Sequence, residues 1–331
     1  MNNQDKRKKT KNTNQPLPMT VPTQAKASGL AYSVMIMLFY ALMFLVIIVL
    51  GVAGISLDFK GKEPDWYLYL NYLLPQISIF LAIAIYFAWL KRPVKQAIKE
   101  QKCHPKYFLL AILLQIGLLS LGMLNDAFLR FLERFGYQGT IPQLPNLNGF
   151  GLVATIFCIA VLPAVFEEIF FRGVLLKGLR SFGTVGGIFL CGALFALYHQ
   201  NPAQTIYQFV CGIAFAFLAV RSGSVLPTIV SHFLNNTIVI VLTRFGIQDI
   251  PSVAYVPYVI ITSLCLIGSL AYLFFFDLPL AEAKADEDKD DRKRAHVIRR
   301  QKEETKAERV RFFVCALAGI VVFAVNWLTA L

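Results

Sequence analysis

Charged residues are scarce in this chain: Asp, Glu, Lys and Arg make up 16% of its 331 residues, while 56% are apolar. Soluble domains carry about 25% charged and about 45–50% apolar residues. The composition therefore excludes an ordinary soluble enzyme and a disordered protein. Cysteine is confined to positions 103, 158, 191, 211, 265 and 315, with no metal-ligand or redox spacing, which excludes a disulfide scaffold. Most of these cysteines lie in apolar runs and read as small packing residues. No run alternates with period two, so a transmembrane barrel is excluded. No fixed-period repeat is visible. Histidine occurs four times.

Long apolar runs are abundant. About 20 such residues cross a bilayer as a helix, and nine runs approach or meet that length: 31–54, 66–90, 107–125, 150–166, 181–198, 200–220, 222–243, 250–276 and 312–331. The expected fold is an all-α, polytopic transmembrane helix bundle, with about eight spans in the body plus one C-terminal span. The first run follows about thirty polar residues and lacks a small-residue cleavage site, so it reads as a retained anchor.

The net charge of +12 is a topology signal rather than a nucleic-acid footprint. Along a nine-span path, 27 of the 32 basic residues fall on one side; the other side holds Lys60, Lys62, Arg130, Arg134 and Arg244. Basic loops stay in the cytoplasm. The expectation is an integral, multi-pass protein of a bacterial plasma membrane, with its N-terminus cytoplasmic and its C-terminus outside. Residues 1–30 read as a disordered basic cytoplasmic tail able to hold anionic lipid. The membrane body is 31–276. Residues 277–311 mix ten acids with eleven bases and read as a charged cytoplasmic connector, helical or flexible. Residues 312–331 form a peripheral terminal span.

Ionisable groups inside a span are costly and mark function. Glu167 and Glu168 end the fourth run in FEEIFFRG, His199 ends the fifth in FALYHQN, and His232 with Asn236 lies in the seventh in SHFLNN. His104 and His296 lie in charged loops. Residues four apart share a helix face, which pairs Glu168 with Arg172, Phe195 with His199, and His232 with Asn236. A carboxylate, two imidazoles and an amide from three helices are thus expected to converge on one buried pocket, where they can polarise a water or hold a divalent metal.

Plainer readings stand beside this one. Glu168 and Arg172 form a buried ion pair, His199 caps a helix, and His232 with Asn236 is interhelical hydrogen-bond glue. Phe171 and Phe195 pack. Pro163, Pro227 and Pro257 kink their spans, and the 183–187 glycines permit close helix packing. One tension follows from 1.5 Å per residue. Glu167 falls at the cytoplasmic end of its run and His199 at the outer end of the next, so straight helices with these limits do not meet. A deeper helix start or a kink is needed.

Glu167-Glu168-x-x-x-Arg172, then Phe195-x-x-x-His199, then His232-x-x-x-Asn236 resemble the three signature motifs of the CAAX-protease and bacteriocin-processing (CPBP, or Abi) family, which includes the type II CAAX prenyl endopeptidases. The likeness covers about residues 149–243. It implies a hydrolase: an intramembrane endopeptidase in which Glu167 is the base that activates water and His199 orients that water. His232 and Asn236 would stabilise the oxyanion, with Glu168 and Arg172 as structural partners. Members are described both as metalloendopeptidases and as glutamate-dependent enzymes. The resemblance therefore requires no cofactor and leaves a divalent metal such as zinc open. The implied partners are a peptide or protein substrate in or at the membrane and the lipid bilayer, with no nucleic acid. The alternatives are a non-proteolytic immunity or peptide-binding protein of the same fold, and a proton-coupled transporter. Missing inverted repeats weigh against the transporter.

Overall fold

The computed structural model describes residues 23–59, 62–90, 94–98, 103–138, 143–247, 250–277 and 291–331. Among these, eight continuous helical stretches are long and apolar enough to cross a membrane. One of them, Phe150–Tyr198, holds 49 residues and reverses at Gly183, whose φ of 79° suits glycine. The rods are α1 (Gln24–Val52), α2 (Asp65–Leu90), α3 (Lys106–Glu133), α4 (150–182), α5 (Gly183–Tyr198), α6 (Thr205–Ser222), α7 (Leu226–Arg244), α8 (Ser252–Phe276) and α9 (Asp291–Thr329). No strand pairs with them among the described residues. The chain is an integral multi-pass membrane bundle. Its outer faces keep large apolar side chains such as Phe44, Leu264 and Val314 exposed, as lipid contact requires.

α1 begins at Gln24, before the apolar run, with the Thr23 hydroxyl accepting from the Lys26 amide. Its first two turns are buried by small residues, and the Ser28 hydroxyl donates to the Val174 carbonyl at 2.9 Å. Helix thus covers the end of the stretch expected to be disordered, because that end packs on α4; residues 1–22 lie outside the described residues. Of the charged stretch 277–311, Asp277 and the residues from 291 onward are described. From 291 it is helical and continuous with the terminal span.

The fourth run does not stop at Phe166. Its carboxylates find partners inside the bundle, so the helix continues to residue 182. Two π-helical segments, Ile156–Val161 and Ile169–Leu175, flank the Glu pair. Such wide turns recur at functional sites. Pro227 sits at the second position of α7, where proline is tolerated, and does not kink it as expected. Pro257 is interior to its helix, as is Pro75 in α2.

The core lies between α1, α2, α4, α5 and α9, around Tyr32, Ile79, Phe170, Phe171, Phe195 and Phe312. α9 is not peripheral: a Cβ on Gly29 of α1 would lie 2.4 Å from the Phe312 carbonyl oxygen of α9, so glycine permits that approach.

Candidate active site

The reversal at Gly183 resolves the depth problem. Glu167 lies sixteen residues before Gly183 on α4, and His199 lies sixteen after it at the end of α5. Both legs are about 24 Å long, so the hairpin returns His199 to the level of Glu167. Contacts along the hairpin keep this register. The Phe171 and Phe195 rings are 5.0 Å apart, and the Tyr198 hydroxyl reaches Glu167 Oε1 at 3.4 Å.

Glu167 is buried, 4% exposed. Its Oε1 accepts from Gln76 Nε2 at 2.9 Å, besides Tyr198. Its Oε2 has no hydrogen-bond partner among the described residues and faces His232 Nε2 at 3.9 Å. That separation is too long for a direct hydrogen bond.

Glu168, the next residue on α4, meets the other edge of the His232 ring. Its Oε1 accepts from Arg172 Nη1 at 2.8 Å and lies 2.9 Å from His232 Nδ1. A carboxylate accepts, so His232 carries its proton on Nδ1 and presents Nε2 toward Glu167. Arg172 also donates to the Gly212 carbonyl at 3.2 Å, and its guanidinium lies over the Phe195 ring at 4.4 Å and the Phe215 ring at 5.3 Å. Charge pairing and aromatic faces together hold this cation in an apolar setting.

His199 Nδ1 lies 2.8 Å from the Phe195 carbonyl, which can only accept, so Nδ1 again carries the proton. Asn236 is held by α4. Pro163 lacks an N–H, so the Ile159 carbonyl four residues earlier has no α-helical donor; Asn236 Nδ2 donates to it at 2.8 Å. Asn235 Nδ2 donates to Asn236 Oδ1 at 3.1 Å.

Glu167, His199, His232 and Asn236 all line one cavity of about 730 Å³. Glu168 and Arg172 lie behind it. Four residues here carry no motif in the sequence. Gln76 orients Glu167, and Tyr198 assists. Gln115 and Tyr207 both donate to Asn235 Oδ1, at 2.9 and 2.8 Å. The signal was available for the glutamines: each is an amide buried in an otherwise apolar run, as costly as the groups that were noticed.

The donor set does not fit a resident zinc ion. Catalytic zinc takes three protein ligands, and among the described residues no three His, Cys, Asp or Glu side chains gather to hold a metal.

Residues 149–238 match the sequence profile of a family described as type II CAAX prenyl endopeptidase Rce1-like. The match covers all three motifs apart from the flanking helices. At family level this is the signature of a CAAX-protease-like intramembrane endopeptidase. No curated protein and no solved structure matches the chain.

Proposed function

We propose, from the membership of residues 149–238 in this CAAX-protease (CPBP) family, that the chain hydrolyses a peptide bond within the membrane using water activated by Glu167. The observation carrying this reading is the buried Oε2 of Glu167, which faces His232 Nε2 at 3.9 Å inside the cavity. A water oxygen can lie within hydrogen-bond reach of both atoms. Such a water donates one proton toward each and is oriented by two fixed acceptors.

Glu167 takes a proton as the water oxygen adds to the peptide carbonyl carbon. The carbonyl oxygen becomes an oxyanion. Both imidazoles, in their neutral form, spend their N–H on Glu168 and on the Phe195 carbonyl. Asn236 lines the cavity and keeps a second amide N–H, which can serve as a neutral donor to that charge. His232 adds a donor once its Nε2 is protonated. The tetrahedral carbon re-forms its carbonyl, the C–N bond breaks, and the leaving nitrogen takes the proton held by Glu167. The products are an amine and a carboxylic acid, which ionises to the carboxylate by releasing its proton to water. His199, on the same cavity wall, orients water and substrate. The substrate is a polypeptide in or at the membrane.

Comparative peptidomics of membranes carrying wild-type protein or Glu167→Gln tests this. Glu167→Gln keeps the hydrogen bonds to Oε1 and removes the base, so cleavage products fall by about 10²–10⁴-fold with normal accumulation of protein. An identical set of termini in both membranes rejects the protease and favours peptide binding without hydrolysis. Strong chelators are expected to leave cleavage unchanged, since the chemistry above uses side chains alone.

A further inference from the structure

The bundle has two chemically different ends. At one end, the Val225 amide donates to the Ile98 carbonyl, Arg221 to the Asp277 carbonyl, and Arg309 to the Ser181 carbonyl. The start of α1 and the Gly183 reversal are at this end. At the other end, Asp65 accepts from the Asn146 amide, the Tyr137 hydroxyl pairs with Asn201, and Asn326 donates to Gln200. The ends thus hold alternate connections of the nine-rod path. Arg172 is buried between them and belongs to neither. Of the other 31 Lys and Arg residues, 26 lie on segments that join the first end and five on those of the second.

Among the described residues, the catalytic cavity is lined from the second end. Asn71 and Gln76 line it from the first half of α2, Thr243 from the last turn of α7, and Leu144 and Gln204 from connections at that end. Toward the first end, Phe170, Phe171, Val174 and Leu175 are fully buried and close the path behind Glu167. Among the described lining residues none is Lys or Arg, whereas Asp126 and Glu167 are acidic and several others are amides.

Basic ends stay cytoplasmic. Resting on the protease reading above, we infer that the cavity opens on the non-cytoplasmic face and takes an internal stretch of an exported or membrane-anchored polypeptide. Amides suit the backbone of an extended chain. A substrate's terminal carboxylate entering this cavity meets acids and no cation, so cleavage falls away from a free C-terminus. The substrate class is thereby distinct from cytoplasmic proteins cut at their C-terminal residues.

Cysteine labelling of the full chain in a bacterial plasma membrane tests the sidedness without using activity. With the six native cysteines replaced, single cysteines are placed by Asn71→Cys at the cavity mouth, Asn148→Cys at the same end and Thr184→Cys at the basic end. A membrane-impermeant sulfonated maleimide is expected to label Asn71→Cys and Asn148→Cys in sealed cells, at least about tenfold more than Thr184→Cys, with the order reversed in inside-out vesicles. The reverse pattern overturns the inference. If the cysteine-depleted chain fails to accumulate, protease-accessible tags inserted after Asn148 and at the C-terminus give the same decision on the native-cysteine protein.

Fragments that depend on Glu167 supply the second arm. Termini mapping to segments exposed outside the cytoplasm support the substrate class, and termini mapping to cytoplasmic C-terminal residues overturn it. Absence of any Glu167-dependent fragment rejects the protease reading and the substrate class with it, while the labelling pattern still decides which way the cavity faces.

Discussion

His232 is held between two carboxylates with different company. Glu168 is neutralised by Arg172 at 2.8 Å, whereas among the described residues the hydrogen-bond donors to Glu167 are the neutral Gln76 and Tyr198. The first arrangement anchors the imidazole and the second leaves a carboxylate able to accept a proton. Removing one member of a buried ion pair strands the other and costs about 3–5 kcal/mol. Arg172→Met is therefore expected to lower thermal stability in detergent by a margin of that size. The double substitution Glu168→Gln with Arg172→Met recovers part of the loss, because no charge is left unpaired. Gln76 acts differently. Its amide makes one hydrogen bond to a charged acceptor, worth about 1.5–3 kcal/mol. Gln76→Leu should lower kcat/KM by roughly ten- to a hundredfold through kcat, and lower stability by about 1–3 kcal/mol because the buried Glu167 Oε1 keeps only the 3.4 Å contact with Tyr198. The motif residues themselves were legible because each is an ionisable or amide group in an apolar run. Gln76 carries only the weaker mark of one neutral amide in an apolar run; its position across the bundle from Glu167 gives it its role.

On the scale of helices, the site depends on how α4 departs from a regular α-helix. Pro163 leaves the Ile159 carbonyl without its usual donor, and Asn236 of α7 supplies one at 2.8 Å. The same side chain thus ties two helices together and faces the cavity. Asn236→Leu orphans that carbonyl, at a cost of about 1–3 kcal/mol, and also removes the proposed oxyanion donor. Adding Pro163→Ala restores an N–H on α4. The double variant is expected to regain stability in thermal unfolding while its cleavage rate stays low. Recovery of both would assign Asn236 to structure alone. The length of α4 was the least legible feature of the sequence. Two adjacent carboxylates look like the end of a span when their partners are unknown, and the partners of Glu167 come from α2 and α5. With Gly183 taken as the reversal, equal sixteen-residue legs would have aligned Glu167 with His199. A further helix-scale constraint is the crossing of α5 and α6. A Cβ on Gly212 would lie 2.7 Å from the Gly192 Cα, so the backbone approach that lets Arg172 reach the Gly212 carbonyl depends on these glycines.

Over the whole molecule, the terminal helix connects the two ends and completes the cavity. Ser33 of α1 donates to the Cys315 carbonyl at 2.7 Å, and the Phe323 ring packs on Tyr32 and Tyr198 at 5.3 and 5.9 Å. Trp327 donates to the Thr205 hydroxyl at 2.7 Å, beside the mouth. From sequence this span reads as an appendage, because a charged stretch separates it from the body and no motif marks it. Its role becomes visible only through contacts with α1 and α5 that no local pattern encodes. Phe323 lines the cavity without reaching the proposed reacting atoms. Phe323→Ala should therefore raise KM on the order of tenfold while changing kcat less, the pattern of lost substrate contact rather than lost transition-state stabilisation. A chain ending before α9 loses these contacts together and should unfold at lower temperature in detergent as well as lose affinity. Steady-state kinetics on a peptide identified by the peptidomics separates the two effects. Unchanged KM in Phe323→Ala would mean that substrate avoids the α9 wall and follows the opposite side of the cavity, past α3 and α7.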